Sequence, residues 1–274
     1  MSLDSRATGP LLGVIFDWAG TTVDHGSLAP VEAFRATFQA RGVEIAVAEA
    51  RAPMGLNKRD HIRTITKMER VDQAWRAVHG RPPTEEDVEA MYHAFLPIQL
   101  ACIRDYASLI DGTLEVVRFL RARGIRIGST TGYSREMMDV LAPAAARQGY
   151  APDCIVCASD VPEGRPAPFM IWANAIKLGL YPLSRTIKVG DTIADIDEGR
   201  SAGMWSIGLT RCGNELGLSS TDAAELPSYE LQSRVVAAEK RFLAAGAHYA
   251  VPGIGDIVPL IAEIEERIAA GERP

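Results

Sequence analysis

The chain is poor in lysine. Of its 29 basic residues only five are lysines, at positions 58, 67, 177, 188 and 240. Arginine therefore serves wherever a plain positive charge is wanted, and only lysine can give up its proton to become an amine nucleophile. Long apolar runs are also missing. None reaches the ~18 residues of a membrane-spanning helix, and the N-terminus lacks the basic, apolar, small-residue order of a signal peptide. The expectation is a cytoplasmic enzyme. A clustered basic excess is absent too: the net charge of -6 and pI of about 5.5 disfavour a nucleic-acid surface. A small-molecule substrate fits better, and an anionic one must be held by local charge. The four cysteines, Cys102, Cys154, Cys157 and Cys212, form one CxxC without the second pair or flanking histidines of a zinc site. DCIVCAS thus reads as a buried strand with reduced thiols. Repeats and low-complexity segments are lacking, and disorder is expected only in the first nine or so residues and the last few.

What is present is enough for one substantial core and a smaller satellite: 274 residues, 47% of them hydrophobic. Runs rich in Val, Ile and Leu recur at 11–18, 125–132, 154–160, 186–192 and 205–210, the pattern of strands buried on both faces. Amphipathic stretches such as TLEVVRFLRARG (113–124) and REMMDVLAPAAARQG (135–149) lie between them and stop at glycine. The alternation predicts an α/β fold, a doubly wound parallel sheet with helices on both faces. From about Leu28 to Tyr106 the helical period continues without a strand. This interval predicts an inserted α-helical cap domain over 28–106, with the core built from 1–27 and 107–274. Within it PVEAFRATFQARG, DHIRTITKMERVDQAWRAVHG and TEEDVEAMYHAFLPIQLACIRDY read as three helices, the last with a threonine cap. The stretch from Cys212 to Gly246 reads as a loop followed by a long helix.

Chemistry in open α/β sheets collects past the carboxyl ends of the strands. There the sequence places FDWAGTTVD, GSTTGYS, EGRPAPF and VGDTIADID. Singly, an Asp or Thr after a strand often only caps the next helix. In order and spacing, however, Asp17, Thr131, Arg165, Asp191 and Asp195 resemble the four-part pattern of the haloacid dehalogenase superfamily over about residues 11–210. A carboxylate that attacks phosphorus meets a group already negative, so such a site needs cations. Asp17 and Asp191 offer hard oxygen ligands suited to magnesium. The resemblance adds the backbone carbonyl of Ala19 as a ligand, Thr131 and Arg165 as phosphoryl partners, and Asp195 as a nearby acceptor that stays close to the metal or orients Arg165.

Position 19 narrows the chemistry. Phosphatases of the superfamily carry there an aspartate that protonates the departing ester oxygen, and alanine cannot. A carbon leaving group instead needs an electron sink, which an imine between a lysine and an aldehyde supplies. Lys58, in PMGLNKRDHIRTI, is the candidate, with Gly55 able to open the backbone and His61 one helical turn on. WAGTTVD, MGLNK with the following DH, and GSTTGYSREMM together resemble the phosphonoacetaldehyde hydrolase family. That resemblance implies carbon–phosphorus bond hydrolysis through a Lys58 imine and an aspartyl phosphate on Asp17. It places Met54, His61 and Tyr133 beside the lysine, with magnesium as cofactor. It also implies a homodimer, for which apolar cap residues such as Trp75 and Met91 are candidates. Two other readings compete. One is a dehalogenase or esterase-type phosphatase lacking the acid; the other is a silent member of the fold, which should have lost Asp17 or Lys58. A solvated Lys58 beside Arg59 and Asp60 is the bland alternative. Lys67, Lys177 and Lys240 read as surface helix positions, and His25, His79, His93 and His248 show no partners.

Overall fold

Residues 9–274 are described by a computed structural model; most of the expected disordered start lies outside them. Six parallel strands, β1 (Gly13–Phe16), β2 (Arg126–Thr131), β3 (Cys154–Cys157), β4 (Thr186–Gly190), β5 (Trp205–Leu209) and β6 (Tyr249–Val251), stand in the order β3-β2-β1-β4-β5-β6. Every residue of β1, β4 and β5 is buried, which is why these strands read as runs rich in Val, Ile and Leu. The chain steps outward from β1 to β3 and then returns to β4 on the other side. That reversal opens the crevice in which such sheets bind ligands. Phe16 pairs with Ser129 of β2 and Val189 of β4, so Asp17, Thr131 and Asp191 emerge together at one edge. The edge strand β6 is not visible in the sequence, because YAV is three residues long and only half-buried.

Five helices separate β1 from β2: α1 (Ala29–Gln39), α2 (Val47–Arg51), α3 (Lys58–Thr66), α4 (Glu69–His79) and α5 (Glu85–Cys102). The sequence reads α3 and α4 as one helix, and the structure breaks it at Lys67–Met68. The reason lies in the phase of the apolar residues. On one straight helix Val71 would sit about 240° round from Ile65; the break lets Ile62, Ile65, Val71 and Trp75 all reach the same interior. Thr84 caps α5 as expected, accepting from Asp87 N while its own N–H donates to the Asp87 carboxylate at 2.8 Å.

Trp75 and Met91 are 1% and 0% exposed. They pack inside the insert and cannot form an interface with another subunit, which corrects their sequence reading. The insert's core of Phe34, Phe38, Ile62, Trp75 and Phe95 continues without a gap through Trp18 and Tyr133 into Met137, Met138 and Leu141 of α7 (Arg135–Ala146). On one face of the sheet, α6 (Thr113–Ala122) and α12 (Ile257–Ala269) pack against β1, β4 and β5. The others are α8 (Phe169–Leu178), α9 (Ile193–Ser201), α10 (Ser220–Glu225) and α11 (Ser228–Ala244). The predicted loop after Cys212 thus contains the short helix α10. All four cysteines are free thiols, and His248 accepts a hydrogen bond from Ser206 N at 3.0 Å, a partner the sequence does not reveal.

Candidate active site

A small pocket lies where the insert meets the carboxyl edge of the sheet. It is lined by Asp17, Ala19, Thr131, Arg165 and Asp191 from the core side, and by Met54, Gly55, Leu56 and Lys58 from the insert; Tyr133 completes it. The hairpin-like turn after β1 brings Ala19 into this lining. Gly20 (φ +77°) lies so close to Asp191 that a Cβ would stand 2.1 Å from a carboxylate oxygen. A side chain there would displace the aspartate. Gly55 (φ +94°) plays the same part on the insert: a Cβ would meet Thr192 Oγ1 at 2.4 Å. The turn preceding Lys58 can therefore settle onto the N-terminus of α9.

Lys58 is 5% exposed, so it is not a solvated helix-start residue. Its Nζ sits 5.3 Å from the Phe34 ring centre and 4.8 Å from that of Tyr133. Among the described residues none accepts a hydrogen bond from it. Burial lowers its pKa from 10.5 to about 7; Asp17 opposes this and Arg165 adds to it. His61 is fully buried, stacked on Phe34 at 3.8 Å. Its Nε2 donates to Ala50 O at 2.8 Å, which fixes the tautomer and leaves Nδ1 as an acceptor with no partner among the described residues. Burial and the nearby Lys58 hold its pKa well below the usual value, so the ring is neutral.

Arg165 is the hub of the charged side. It donates from Nη2 to Asp17 at 2.6 Å and from Nε to Glu198 at 2.9 Å; its Nη1 reaches Gly55 O of the insert at 3.3 Å. Asp195 lies 3.1 Å from Arg165 and 2.7 Å from Lys188 Nζ, and its other oxygen accepts from Thr192 Oγ1 at 2.6 Å. Thr130 Oγ1 stands among Arg165, Lys188 and Glu198 at 2.9 to 3.0 Å. Burial works against an ionised Asp195, but Arg165 and Lys188 outweigh it and lower its pKa. Among the described residues no cation pairs directly with Asp191, and the more distant Arg165 only partly offsets its burial. Burial, then Asp17 and Asp195, raise its pKa far above the usual carboxylate range, although Asn214 N donates to it at 2.7 Å and Thr21 Oγ1 at 3.3 Å.

A family model described as haloacid dehalogenase-like hydrolase matches residues 12–203. The chain belongs to this family. A phosphonoacetaldehyde hydrolase of Syntrophobacter fumaroxidans is 48% identical over 97% of this chain and 96% of its own. One from Bacillus cereus is also 48% identical, over 93% and 96%. A crystal structure of a phosphonoacetaldehyde hydrolase-like protein from Oleispira antarctica superposes with a TM-score of 0.95 at 42% identity, covering 100% of this chain and 99% of that one. This chain is accordingly a hydrolase, and hydrolases of the family generally use a metal ion.

The residues of this hydrolase fit one. Oxygen atoms of Asp17, Asp191 and Asp195 come within 4.8 Å of one another. Four buried carboxylates (Asp17, Asp191, Asp195, Glu198) face two fixed cations, Arg165 and Lys188. The formal excess of two negative charges is what a divalent cation would neutralise. Because Asp195 is committed to Lys188, Arg165 and Thr192, the carboxylates free to ligate are Asp17 and Asp191. The sequence reading missed Glu198 and Thr130 and left Lys188 without a role. Glu198 lies three residues after Asp195 on α9, a same-face spacing that offered a clue; Asn214 offered none.

Proposed function

We propose that this hydrolase splits the carbon–phosphorus bond of phosphonoacetaldehyde, giving acetaldehyde and inorganic phosphate. The observation that carries the reading is a buried lysine that pairs with no carboxylate among the described residues, in the same small pocket as Asp17 and as an alanine where an acid would serve an ester substrate. The curated relatives with that activity in their names support it.

In this reading neutral Lys58 attacks the aldehyde carbon and, with uptake of one proton, water leaves to form an iminium. Asp17 then attacks phosphorus, the carbon–phosphorus electron pair moves into a carbon–carbon double bond, and an enamine and an aspartyl phosphate result. Water hydrolyses the acyl phosphate to inorganic phosphate. Protonation of the enamine carbon and hydrolysis of the imine release acetaldehyde and free Lys58. Arg165 holds the attacking Asp17 oxygen and, with Thr131, faces the phosphoryl oxygens. Tyr133 of the pocket lining and the neutral His61 near Lys58 are the candidate proton carriers for the imine, and Met54 of the same lining would pack the aldehyde end. Magnesium would be held by Asp17, Asp191 and the Ala19 carbonyl, with Asp195 behind them; bound there it would offset the charge of the phosphonate. The insert acts as a cap that closes the pocket against bulk water.

The same reading takes the protein as a cytoplasmic homodimer acting on a small molecule. Trp172 and Ile176, four residues apart on α8, are 44% and 84% exposed and replace Trp75 and Met91 as interface candidates. Trp172→Glu should shift sedimentation equilibrium towards monomer. The deciding assay couples acetaldehyde release to NADH oxidation by alcohol dehydrogenase, with Lys58→Arg in parallel. Activity in the parent alone supports the assignment. No activity in the folded, magnesium-loaded parent removes the substrate, and full activity in the variant removes the imine.

A further inference from the structure

The insert is fastened to the core at a point away from Lys58, and the fastening runs to Asp191. Arg51, at the end of α2, donates from Nη1 to Gly26 O at 2.9 Å, to Ser27 O at 3.5 Å and to Asn214 Oδ1 at 3.1 Å. Its Nη2 donates to Gly217 O at 3.0 Å. Asn214 returns the contact, Nδ2 donating to Arg51 O at 3.3 Å, while its backbone N–H donates to Asp191 Oδ2 at 2.7 Å. Gly213 lies directly on Asp191, with space for no Cβ. One guanidinium thus joins three segments: the connection into the insert (25–28), α2, and the loop 212–218 that forms the wall behind Asp191.

The connection is held in an unusual shape. Asp24 and Ser27 have φ of +55° and +50°, a region that costs side-chain-bearing residues on the order of 1 kcal/mol or more. Gly26 N donates to Cys212 O and His25 Nδ1 lies against Leu218 O, at 2.7 and 3.0 Å. Two of the three carbonyls that Arg51 binds, those of Gly26 and Ser27, therefore belong to the strained turn itself. If the insert moved away, Arg51 would leave both the turn and the Asn214 loop, and the loop would lose the side-chain tether that fixes its N–H on Asp191.

We propose that Arg51 and Asn214 form a clasp that couples insert closure to the orientation of Asp191, and thereby to cation binding. Both are positioning residues. The proposal rests on the reading that Asp191 ligates a divalent cation. Asn214→Ala keeps the backbone donor and removes only the tether, while Arg51→Met removes the fork and keeps the stem. Each should weaken magnesium binding, measured by calorimetric titration without substrate, by about ten-fold or more, the usual effect of losing a group that orients a ligand. The double variant should be no weaker than the worse single, because both break one link. Arg35→Met, at an exposed α1 arginine whose partner among the described residues is Glu32, should bind like the parent.

Linkage requires the converse as well. Magnesium should slow amide hydrogen exchange at 25–28 and 213–218 in the parent, and that protection should vanish in either variant. The parent half of this readout needs no variant to fold, and Arg51→Lys, which keeps the charge without the fork, stands in if Arg51→Met does not fold. Unchanged affinity in folded variants, additive losses, or exchange at 25–28 indifferent to magnesium each overturn the clasp. A parent that binds no cation overturns the metal reading and the clasp with it.

Discussion

The sharpest consequence of the pocket concerns the proton on Lys58. With its pKa lowered from 10.5 to about 7, roughly half of this amine is neutral at pH 7, against roughly one in 3,000 for an ordinary lysine. The environment thus raises the concentration of nucleophile by about a thousand-fold. The pH dependence of covalent trapping follows. Borohydride reduction of the imine, followed by intact-protein mass, should show an initial trapping rate that rises with pH and levels off near pH 7. Because Asp17 is the attraction that supports the ammonium, a cation on Asp17 should move that midpoint lower still. Stability supplies a second, independent reading. The folded pKa is depressed, so between pH 7 and 10.5 the unfolded chain holds a proton that the folded chain lacks. Stability therefore rises with pH across that window, and the penalty is fully present below it. At pH 7 it amounts to about 4 kcal/mol. Lys58→Met should consequently be inactive yet more stable than the parent in urea at pH 7, with the gap closing towards pH 10. A trapping midpoint near pH 10, or a methionine variant no more stable at pH 7, would refute the reasoning.

Three further outcomes follow from the same geometry. Chelation with EDTA should abolish acetaldehyde release and magnesium should restore it; a dehalogenase reading would instead leave activity untouched. Glu198→Gln leaves Arg165 and Lys188 short of a buried carboxylate, an error that typically costs about 3–5 kcal/mol, so urea midpoints should fall sharply and turnover with them. An unchanged midpoint would show that Glu198 adds nothing to the network. Thr84→Ala removes the α5 cap and its contact with Asp87, which should cost about 1 kcal/mol while leaving turnover as it is, since neither Thr84 nor Asp87 lines the pocket that holds Lys58.

Most of the sheet was legible because β1, β2, β4 and β5 are buried and so read as apolar runs. β6 escaped because an edge strand of three half-buried residues carries no such signal. The α3–α4 break escaped for another reason: helical period is local, whereas the need to turn both apolar stripes inward is set by the rest of the insert. At the site, Asp17, Thr131, Arg165 and Asp191 were readable because each follows a strand or opens a connection at one sheet edge. Their supports were not. Glu198 meets Arg165 across 33 positions and Thr130 across 68; its step from Asp195 puts it on the same face of α9, but no pattern along the chain names the partners it meets there. The lysines make the distinction plainly. Scarcity pointed equally to Lys58 and Lys188, and both proved buried beside the reacting groups. Lys188 has its ammonium occupied by Asp195, Glu198 and Thr130, which leaves it no position from which to meet an aldehyde. Lys58 has two aromatic faces and no carboxylate. Burial alone therefore does not mark an amine nucleophile; burial with no carboxylate in contact among the described residues does, because desolvation of the charged form then outweighs the more distant attraction of Asp17.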